Sequence, residues 1–316
     1  MKRLFFWLGA VLTIALAVYF VRFAVNAIEQ YRLGPFMTPD LMLATIAAAL
    51  LYALCIPISG WAWHVLLRAM GIHWRPGSLA AIMGVTQLAK YMPGNVGQHI
   101  SRTALALAKG IPVGAYAGSV LIETVLAMIA GLFVGAVFSL ISPVPVSSLI
   151  VEYRFALSLM AGALMLFALV LPCFFRAFKK LVRDKPFGGK WQLLEMTSPC
   201  YGAFGPALAG YCVNFLVIGL GLWLISVAVD AHITADYFYL TAVFALSWLM
   251  GYLTPGAPAG LGVREGVMAL MLSGVGQNDA VLIVIAAMRV ATIAGDGLVF
   301  IVAALYMRLK TLVSNS

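Results

Sequence analysis

The chain has 316 residues, of which 63% are hydrophobic and only 10% are charged, whereas soluble domains carry about 25% charged residues. A water-soluble protein of this length could not hide so much apolar side chain, so the composition predicts an all-α polytopic integral membrane protein. The net charge of +9 does not indicate a nucleic-acid partner, because the basic residues cluster in short segments between apolar runs. The four cysteines form no CxxC pair, and we predict no metal site, disulfide or cofactor.

The first apolar run, residues 4–25, is long enough to cross a bilayer, which takes about 20 residues. Its basic start and an Ala-Leu-Ala triplet within it also fit a signal peptide. Because the run completes an internal repeat described below, we expect it to be retained as the first span.

Six apolar runs along the chain are long enough to be full spans. They are residues 4–25, 41–67, 113–140, 154–175, 204–229 and 280–307. Two further apolar regions, about 76–110 and 237–275, are each divided by a Gly- and Pro-rich break. Their arms are only about 10 to 16 residues long, so we predict re-entrant hairpins. If each hairpin instead crosses twice, the sides of all other loops are unchanged.

The distribution of charge sets the predicted orientation, because basic loops stay on the cytoplasmic side. The loop between the fourth and fifth spans carries one acid, Asp184, and six basic residues: Arg176, Lys179, Lys180, Arg183, Lys185 and Lys190. The opposite face receives most of the acidic loop residues: Glu29, Asp40, Glu152, Asp230, Asp236 and Asp279. Both termini are therefore predicted to be cytoplasmic.

The chain divides into two repeats, residues 1–142 and 143–316, each with two spans, a broken hairpin and one span. Three full spans per repeat is an odd number, so the second repeat is predicted to be inverted relative to the first. The hairpins also match in sequence: Tyr91 to Arg102 reads YMPGNVGQHISR, and Tyr252 to Gly266 reads YLTPGAPAGLGVREG. Paired Gly/Pro-interrupted segments in inverted repeats indicate a transporter binding site near the membrane midplane.

Proline and glycine at each break free backbone N–H and C=O groups, which are costly in hydrocarbon unless they meet a cavity or a ligand. The helix that restarts after each break presents N–H groups to an anion, and an arginine near that start adds donors suited to phosphate. We therefore predict two anion-binding pockets, one facing each side. The candidate substrate-binding residues are Tyr91, Gly94, Asn95, Gly97, His99 and Arg102 in the first hairpin and Tyr252, Gly256, Gly260, Gly262 and Arg264 in the second.

Ionisable residues within spans are costly and are usually paired or functional. Glu123 and Arg289 lie at about mid-depth of their spans, and we predict that they pair, with Asp296 two turns further along. Glu265 is expected to balance the adjacent Arg264. These carboxylates are candidate proton carriers, or they form static ion pairs. Lys90 is placed at the cytoplasmic rim.

These hairpin motifs, together with the ALALAKGI stretch that follows the first, resemble the lysylphosphatidylglycerol synthase transmembrane-region family, the flippase-like membrane half of the bacterial multiple peptide resistance factor. The resemblance covers nearly the whole chain and implies movement of a phospholipid or polyprenyl-linked lipid between leaflets. It also implies functional roles for Arg102, Arg264 and Glu265. The sequence ends about nine residues after the last predicted span, so we expect no aminoacyl-transferase activity and no lysyl-lipid substrate by that chemistry.

The leading hypothesis is a non-enzymatic flippase for an anionic phospholipid or polyprenyl-phosphate-linked lipid in the bacterial cytoplasmic membrane. No P-loop motif occurs, so uphill movement would need an ion gradient or a downstream sink. Two alternatives remain open: an integral-membrane transferase acting on a lipid-linked donor, and an accessory subunit of an envelope-synthesis complex. The expected partners are anionic lipids and, in addition, a second copy of the chain or an envelope-biosynthesis protein.

Overall fold

The computed structural model describes residues 38–91, 97–143, 162–163, 170, 201–229, 235–254, 258–273 and 275–315. Within these residues the elements are helical, apart from one isolated bridge between Ser273 and Gly276. The helices are α1 (Pro39–Ala69), α2 (Pro76–Thr86), α3 (Gly97–Ala108), α4 (Val113–Ile141), α5 (Tyr201–Ala228), α6 (Tyr237–Leu253), α7 (Val263–Leu272) and α8 (Asn278–Asn315). The predicted span 4–25, and 154–175 except for three positions, lie outside the described residues.

Four described helices are long and apolar enough to cross a membrane: Pro39–Ala69, Val113–Ile141, Gly202–Ala228 and Asn278–Lys310. They coincide with the four predicted spans that fall in the described part of the chain. The prediction of an all-α, multi-pass membrane protein is therefore confirmed. Helix α8 has 38 residues, which is about 57 Å, so it extends beyond a hydrocarbon core of about 30 Å.

Both predicted hairpins are broken helices. Helix α2 continues as a 3-10 turn, Gln87–Tyr91, and α3 begins at Gly97. In the second hairpin α6 ends at Leu253, a 3-10 turn follows at Pro258–Gly260, and α7 begins directly after Gly262. Gly260 and Gly262 have φ of +70° and +78°, which is a backbone conformation that glycine adopts without steric cost. The helices thus end and restart where the Gly/Pro pattern predicted.

The elements follow the same order in both halves of the chain, and their packing is matched as well. Helices α1, α2 and α4 of the first half correspond to α5, α6 and α8 of the second. The contact of α1 with α2 matches that of α5 with α6, and the contact of α4 with α6 matches that of α8 with α2. The contact of α4 with α5 likewise matches that of α8 with α1. The largest interface joins α1 to α5, which hold the same place in each half. Each of these helix–helix contacts therefore has a counterpart when the halves are exchanged, although the inverted orientation itself stays a prediction.

Along the membrane-spanning helices the outer surface is largely apolar, and several charged side chains are buried among the helices, whereas exposed charges such as Arg68, Asp279 and Arg308 lie near helix ends. On α1, for example, Leu43, Ile46, Leu50 and Leu54 form one exposed stripe, while Arg102, Arg289 and Asp296 are buried among the helices. This is the reverse of a soluble domain and is the pattern expected when lipid is the solvent.

Candidate functional site

A cavity of about 250 Å³ lies between the two broken hairpins. Its lining comes from all eight helices and from both 3-10 turns. Four basic side chains line it, namely Lys90, Arg102, Arg264 and Arg289, together with one carboxylate, Glu123. The cavity therefore collects most of the charged side chains that the membrane-embedded part of the described chain contains.

In the first half, Arg102 of α3 is neutralised by Glu123 of α4. The guanidinium donates from Nη1 to Oε1 at 2.9 Å and from Nη2 to Oε2 at 2.6 Å, a bidentate geometry. The Arg102 Cζ atom also lies 4.0 Å from the centre of the Trp63 ring, which adds a cation–π interaction. Arg102 is thus held on both sides by groups of the chain itself.

A second ion pair joins the two halves. Lys90, at the end of the first 3-10 turn, donates to Asp296 of α8 at 2.8 Å and to the Tyr52 hydroxyl at 3.1 Å. The Tyr91 hydroxyl donates to the other oxygen of Asp296 at 2.5 Å. Asp296 is completely buried, and among the described residues its carboxylate is contacted by Lys90 and Tyr91. The arrangement links the first hairpin to the last span.

In the second half, Arg264 has no ionic partner within the described residues. No carboxylate oxygen of those residues lies within 4.0 Å of its guanidinium, and its buried Nε has no hydrogen-bond partner. The side chain runs past Gly251 and Gly260, where an added Cβ would lie 2.5 Å from Arg264 Cγ and 3.0 Å from Cδ. Its Cζ atom sits 4.8 Å from the ring centre of Phe244. The two glycines therefore leave the space that this arginine needs.

Arg289 of α8 lies beside the same wall and is only partly neutralised. Its Nε is 3.4 Å from Glu265 Oε1, and neither Nε nor Nη2 makes a hydrogen bond although both are buried. The other Glu265 oxygen accepts from the backbone N–H of Gly262 at 2.8 Å, which caps α7. Glu265 thus both caps the start of α7 and forms an ion pair with Arg289.

The charges around the cavity do not balance. The four basic side chains that line it face three carboxylates of the described chain: Glu123, Asp296 and Glu265. Each carboxylate already contacts its own cation, which leaves one positive charge, and Arg264 is the cation without a partner. A buried charge without a counter-charge is costly, so this wall of the cavity favours an anion.

The structure brings most of the predicted site residues together, and their functional roles stay predictions. Tyr91, His99, Arg102, Tyr252, Gly260, Arg264, Glu123 and Arg289 line the cavity. Gly97 and Gly262 begin or cap the restarted helices, and Asp296 and Glu265 contact lining cations. Gly94, Asn95 and Gly256 lie outside the described residues.

Four details differ from the sequence-based expectation. Glu123 pairs with Arg102 instead of Arg289, because α3 lies against α4 and brings Arg102 closer. Glu265 pairs with Arg289 instead of Arg264. Lys90 is in the cavity wall and not at a rim. Finally, both arginines of the hairpins line one cavity, where two separate pockets were predicted.

Sequence reasoning missed several polar residues of the cavity wall. They are Tyr52, Ser59, Gln87, Tyr211 and Asn214. Gln98 donates to Gln87 at 2.8 Å, and Asn214 donates to Ser59 at 2.9 Å. A lone amide inside an otherwise apolar span, as at Asn214, was the available signal, because such groups need partners in a bilayer.

A comparison with known families identifies the family of the chain. The family model described as "Lysylphosphatidylglycerol synthase TM region" matches residues 6–299, which is most of the chain. A search of curated proteins found no match to the chain. The resemblance inferred from the hairpin motifs is confirmed. The chain, a multi-pass membrane protein with a charged cavity between two broken hairpins, belongs to the lysylphosphatidylglycerol synthase transmembrane-region family.

Proposed function

We propose that this protein moves an anionic lipid, either a phospholipid or a polyprenyl-phosphate-linked lipid, between the leaflets of the bacterial cytoplasmic membrane. The observation that carries the proposal is Arg264, which has no counter-charge among the described residues and lies in a cavity lined by membrane-spanning helices. The family, whose name refers to a lipid synthase, supports lipid handling.

The electrostatics support an anionic headgroup. An arginine left without a counter-charge inside a bilayer protein is costly, and a phosphate that reached Arg264 and Arg289 would remove that cost through charge-assisted hydrogen bonds. The volume of about 250 Å³ lies just below the usual range for ligand pockets, about 300–1,000 Å³. Such a cavity suits a headgroup and leaves the acyl or prenyl chains in the surrounding lipid.

The matched packing of the halves supports a mechanism by alternating access. Transporters built from inverted repeats move one repeat against the other around a midplane site. In our proposal the chain has six full spans, two re-entrant hairpins, two repeats at 1–142 and 143–316, and cytoplasmic termini. The Lys90–Asp296 ion pair, which joins the first hairpin to α8, would break and re-form as the halves move.

The test is a comparison of the lipids that co-purify with the gently solubilised protein. We expect one anionic lipid to be enriched on the wild type, and Arg264→Gln to lower that enrichment about tenfold or more, the worth of one or two charge-assisted hydrogen bonds. Arg308→Gln is the matched control, because Arg308 is exposed near the end of α8 and lies outside the cavity. Bound lipids that mirror the bulk membrane and ignore Arg264→Gln would contradict the proposal.

A second assay addresses movement itself. Proteoliposomes that contain the wild type should transfer a fluorescent anionic lipid between leaflets faster than a zwitterionic analogue with the same chains. Arg264→Gln should abolish this difference and Arg308→Gln should preserve it. Binding without any protein-dependent transfer would favour a lipid-binding accessory subunit over a flippase.

A further inference from the structure

We infer that the lipid bound in this cavity is a phosphodiester whose headgroup beyond the phosphate is uncharged and carries hydroxyl groups, such as a glycerol or a sugar. The inference rests on the proposed function and names the class of lipid that the same cavity selects. It follows from the net charge around the cavity, from the contacts that each carboxylate already makes, and from two neutral groups that have no hydrogen-bond partner.

The charge count favours one negative charge on the ligand. Four basic residues and three carboxylates of the described chain leave a single positive charge. A phosphodiester carries one negative charge and would balance it. A phosphomonoester carries about −1.5 to −2 near neutral pH, which would leave excess negative charge in a low-dielectric site. Lipid monophosphates are therefore expected to bind less well.

The carboxylates are not available to an amino headgroup. Both Glu123 oxygens accept from Arg102, and both Asp296 oxygens accept from Lys90 or Tyr91. Glu265 divides its two oxygens between the Gly262 N–H and the Arg289 guanidinium. A cationic group in the cavity would have to displace one of these contacts, since every carboxylate that the described residues place there is already engaged. Zwitterionic headgroups are thus disfavoured.

The neutral part of the wall has unused hydrogen-bonding capacity. Tyr211 and Asn214 are one turn apart on α5 and both line the cavity. The Asn214 amide nitrogen donates to Ser59 at 2.9 Å, while its Oδ1 and the Tyr211 hydroxyl are buried without a hydrogen-bond partner. Buried polar atoms are rarely left unpaired. An unpaired acceptor beside an unpaired hydroxyl fits a ligand that both donates and accepts, and a hydroxyl group does so.

The experiment is a competition between lipids of identical acyl chains in nanodiscs, read by native mass spectrometry. Phosphatidylglycerol supplies the hydroxylated diester, phosphatidic acid the monoester, phosphatidylethanolamine the zwitterion, and phosphatidylcholine the background. We expect the wild type to retain phosphatidylglycerol over phosphatidic acid by more than about fivefold, because one hydrogen bond typically contributes about that factor and the matched charge adds to it. The preference over phosphatidylethanolamine should be larger still.

Two variants test the neutral wall. Tyr211→Phe removes a single oxygen atom, and Asn214→Leu removes the amide. Each should lower the ratio of phosphatidylglycerol to phosphatidic acid by up to about fivefold, the worth of one lost hydrogen bond, while the part of the preference that comes from charge remains and anionic lipids still exceed phosphatidylcholine. Tyr306→Phe is the control for the tyrosine, because Tyr306 is 41% exposed on the outer face of α8. If Asn214→Leu fails to fold, Tyr211→Phe alone decides the outcome.

The outcomes separate this inference from the proposed function. Wild-type protein that prefers phosphatidic acid or phosphatidylethanolamine over phosphatidylglycerol, with a preference that depends on Arg264, overturns only the headgroup class. No lipid preference, and no effect of Arg264→Gln, overturns both. A final arm adds water-soluble glycerophosphoglycerol: displacement of bound lipid at equal concentration would show that the cavity recognises the soluble diester, and would overturn a lipid as its ligand.

Discussion

Arg102 and Arg264 each lie in the helix that follows the break in their half of the chain, but their surroundings differ. Arg102 is closed in by Glu123 and by the Trp63 ring. Arg264 has a phenylalanine ring beside it, no carboxylate of the described residues within ionic distance, and a second arginine on the same cavity wall. At mid-depth of the span after each hairpin, one half has an acid, Glu123, and the other a base, Arg289.

This difference teaches that a repeated motif need not give a repeated function. In the first half an internal carboxylate occupies the place where an external anion would bind. In the second half the corresponding place carries excess positive charge, which is the more favourable state for a ligand. We therefore interpret the first arginine as mainly structural and the second as mainly ligand-binding, and the following predictions separate the two roles.

The largest expected effect comes from removing the carboxylate that neutralises Arg102 in the first half. Glu123→Leu leaves Arg102 buried without a counter-charge and should lower the free energy of unfolding by about 3–5 kcal/mol. Thermal unfolding of the detergent-solubilised protein measures this loss. The double variant Arg102→Leu/Glu123→Leu should recover most of the stability, because neither charge is then buried alone. A double variant less stable than Glu123→Leu would contradict a simple ion pair.

The same Glu123→Leu variant, purified at low temperature, also tests whether Arg102 can bind an anion once its carboxylate partner is removed. Arg102 then becomes a second uncompensated cation in the cavity, so the first half resembles the second. We expect retention of anionic lipid to rise above the wild-type level, measured by quantitative lipid mass spectrometry. Unchanged retention would show that Arg102 does not reach the ligand.

The next largest effect concerns the ion pair between the halves. Asp296→Asn removes the charge that balances Lys90, and we expect a loss of about 2–3 kcal/mol, because the Tyr52 hydroxyl and the new amide oxygen still accept from Lys90. Asp279→Asn, on an exposed residue at the start of the same helix, is the control and should cost less than about 1 kcal/mol. Equal losses in the two variants would show that the buried pair contributes nothing specific.

A third prediction disturbs only the second half. Gly251→Ala would place a Cβ 2.5 Å from Arg264 Cγ, and overpacking of this kind costs about 1–3 kcal/mol. The arginine must shift, so we expect anionic-lipid retention to fall several-fold. Gly266→Ala is the matched control on α7, where an added Cβ meets no atom within 4 Å; it should stabilise the helix by up to about 1 kcal/mol. Full lipid retention in Gly251→Ala would argue against a role for the position of Arg264.

The smallest effects come from the aromatic neighbours. Phe244→Leu and Trp63→Phe should each lower stability by about 1–2 kcal/mol through lost packing and cation–π contact. Only Phe244→Leu should also lower anionic-lipid retention, by about two- to fivefold, because it loosens the arginine that binds the ligand. Equal effects of both variants on lipid retention would break the distinction between the two halves.

Much of the fold follows from local sequence. Hydropathy over about 20 residues identified the membrane class and the four described spans, and the Gly/Pro clusters located both helix breaks, because these residues act on the backbone where they stand. The hairpin motifs also sufficed to place the chain in its family.

The partners of the charged residues could not be read in the same way. Lys90 meets Asp296 across 206 positions of sequence, and that contact exists only because α8 packs against the first hairpin. Glu123 was predicted to pair with Arg289, whereas its pairing with Arg102 depends on how α3 lies against α4.

The sequence by itself therefore determined that this is a helical membrane protein with two broken hairpins and an arginine in each, since hydropathy and backbone restriction are properties of short segments. Only the tertiary structure decided which arginine is neutralised and which faces the cavity without a counter-charge from the part of the chain that the structure describes. Hydropathy alone does not show which face of an apolar span will turn inward. The amide of Asn214 was a local signal on α5, but only the packing of α5 against its neighbours placed Tyr211 and Asn214 in the cavity wall.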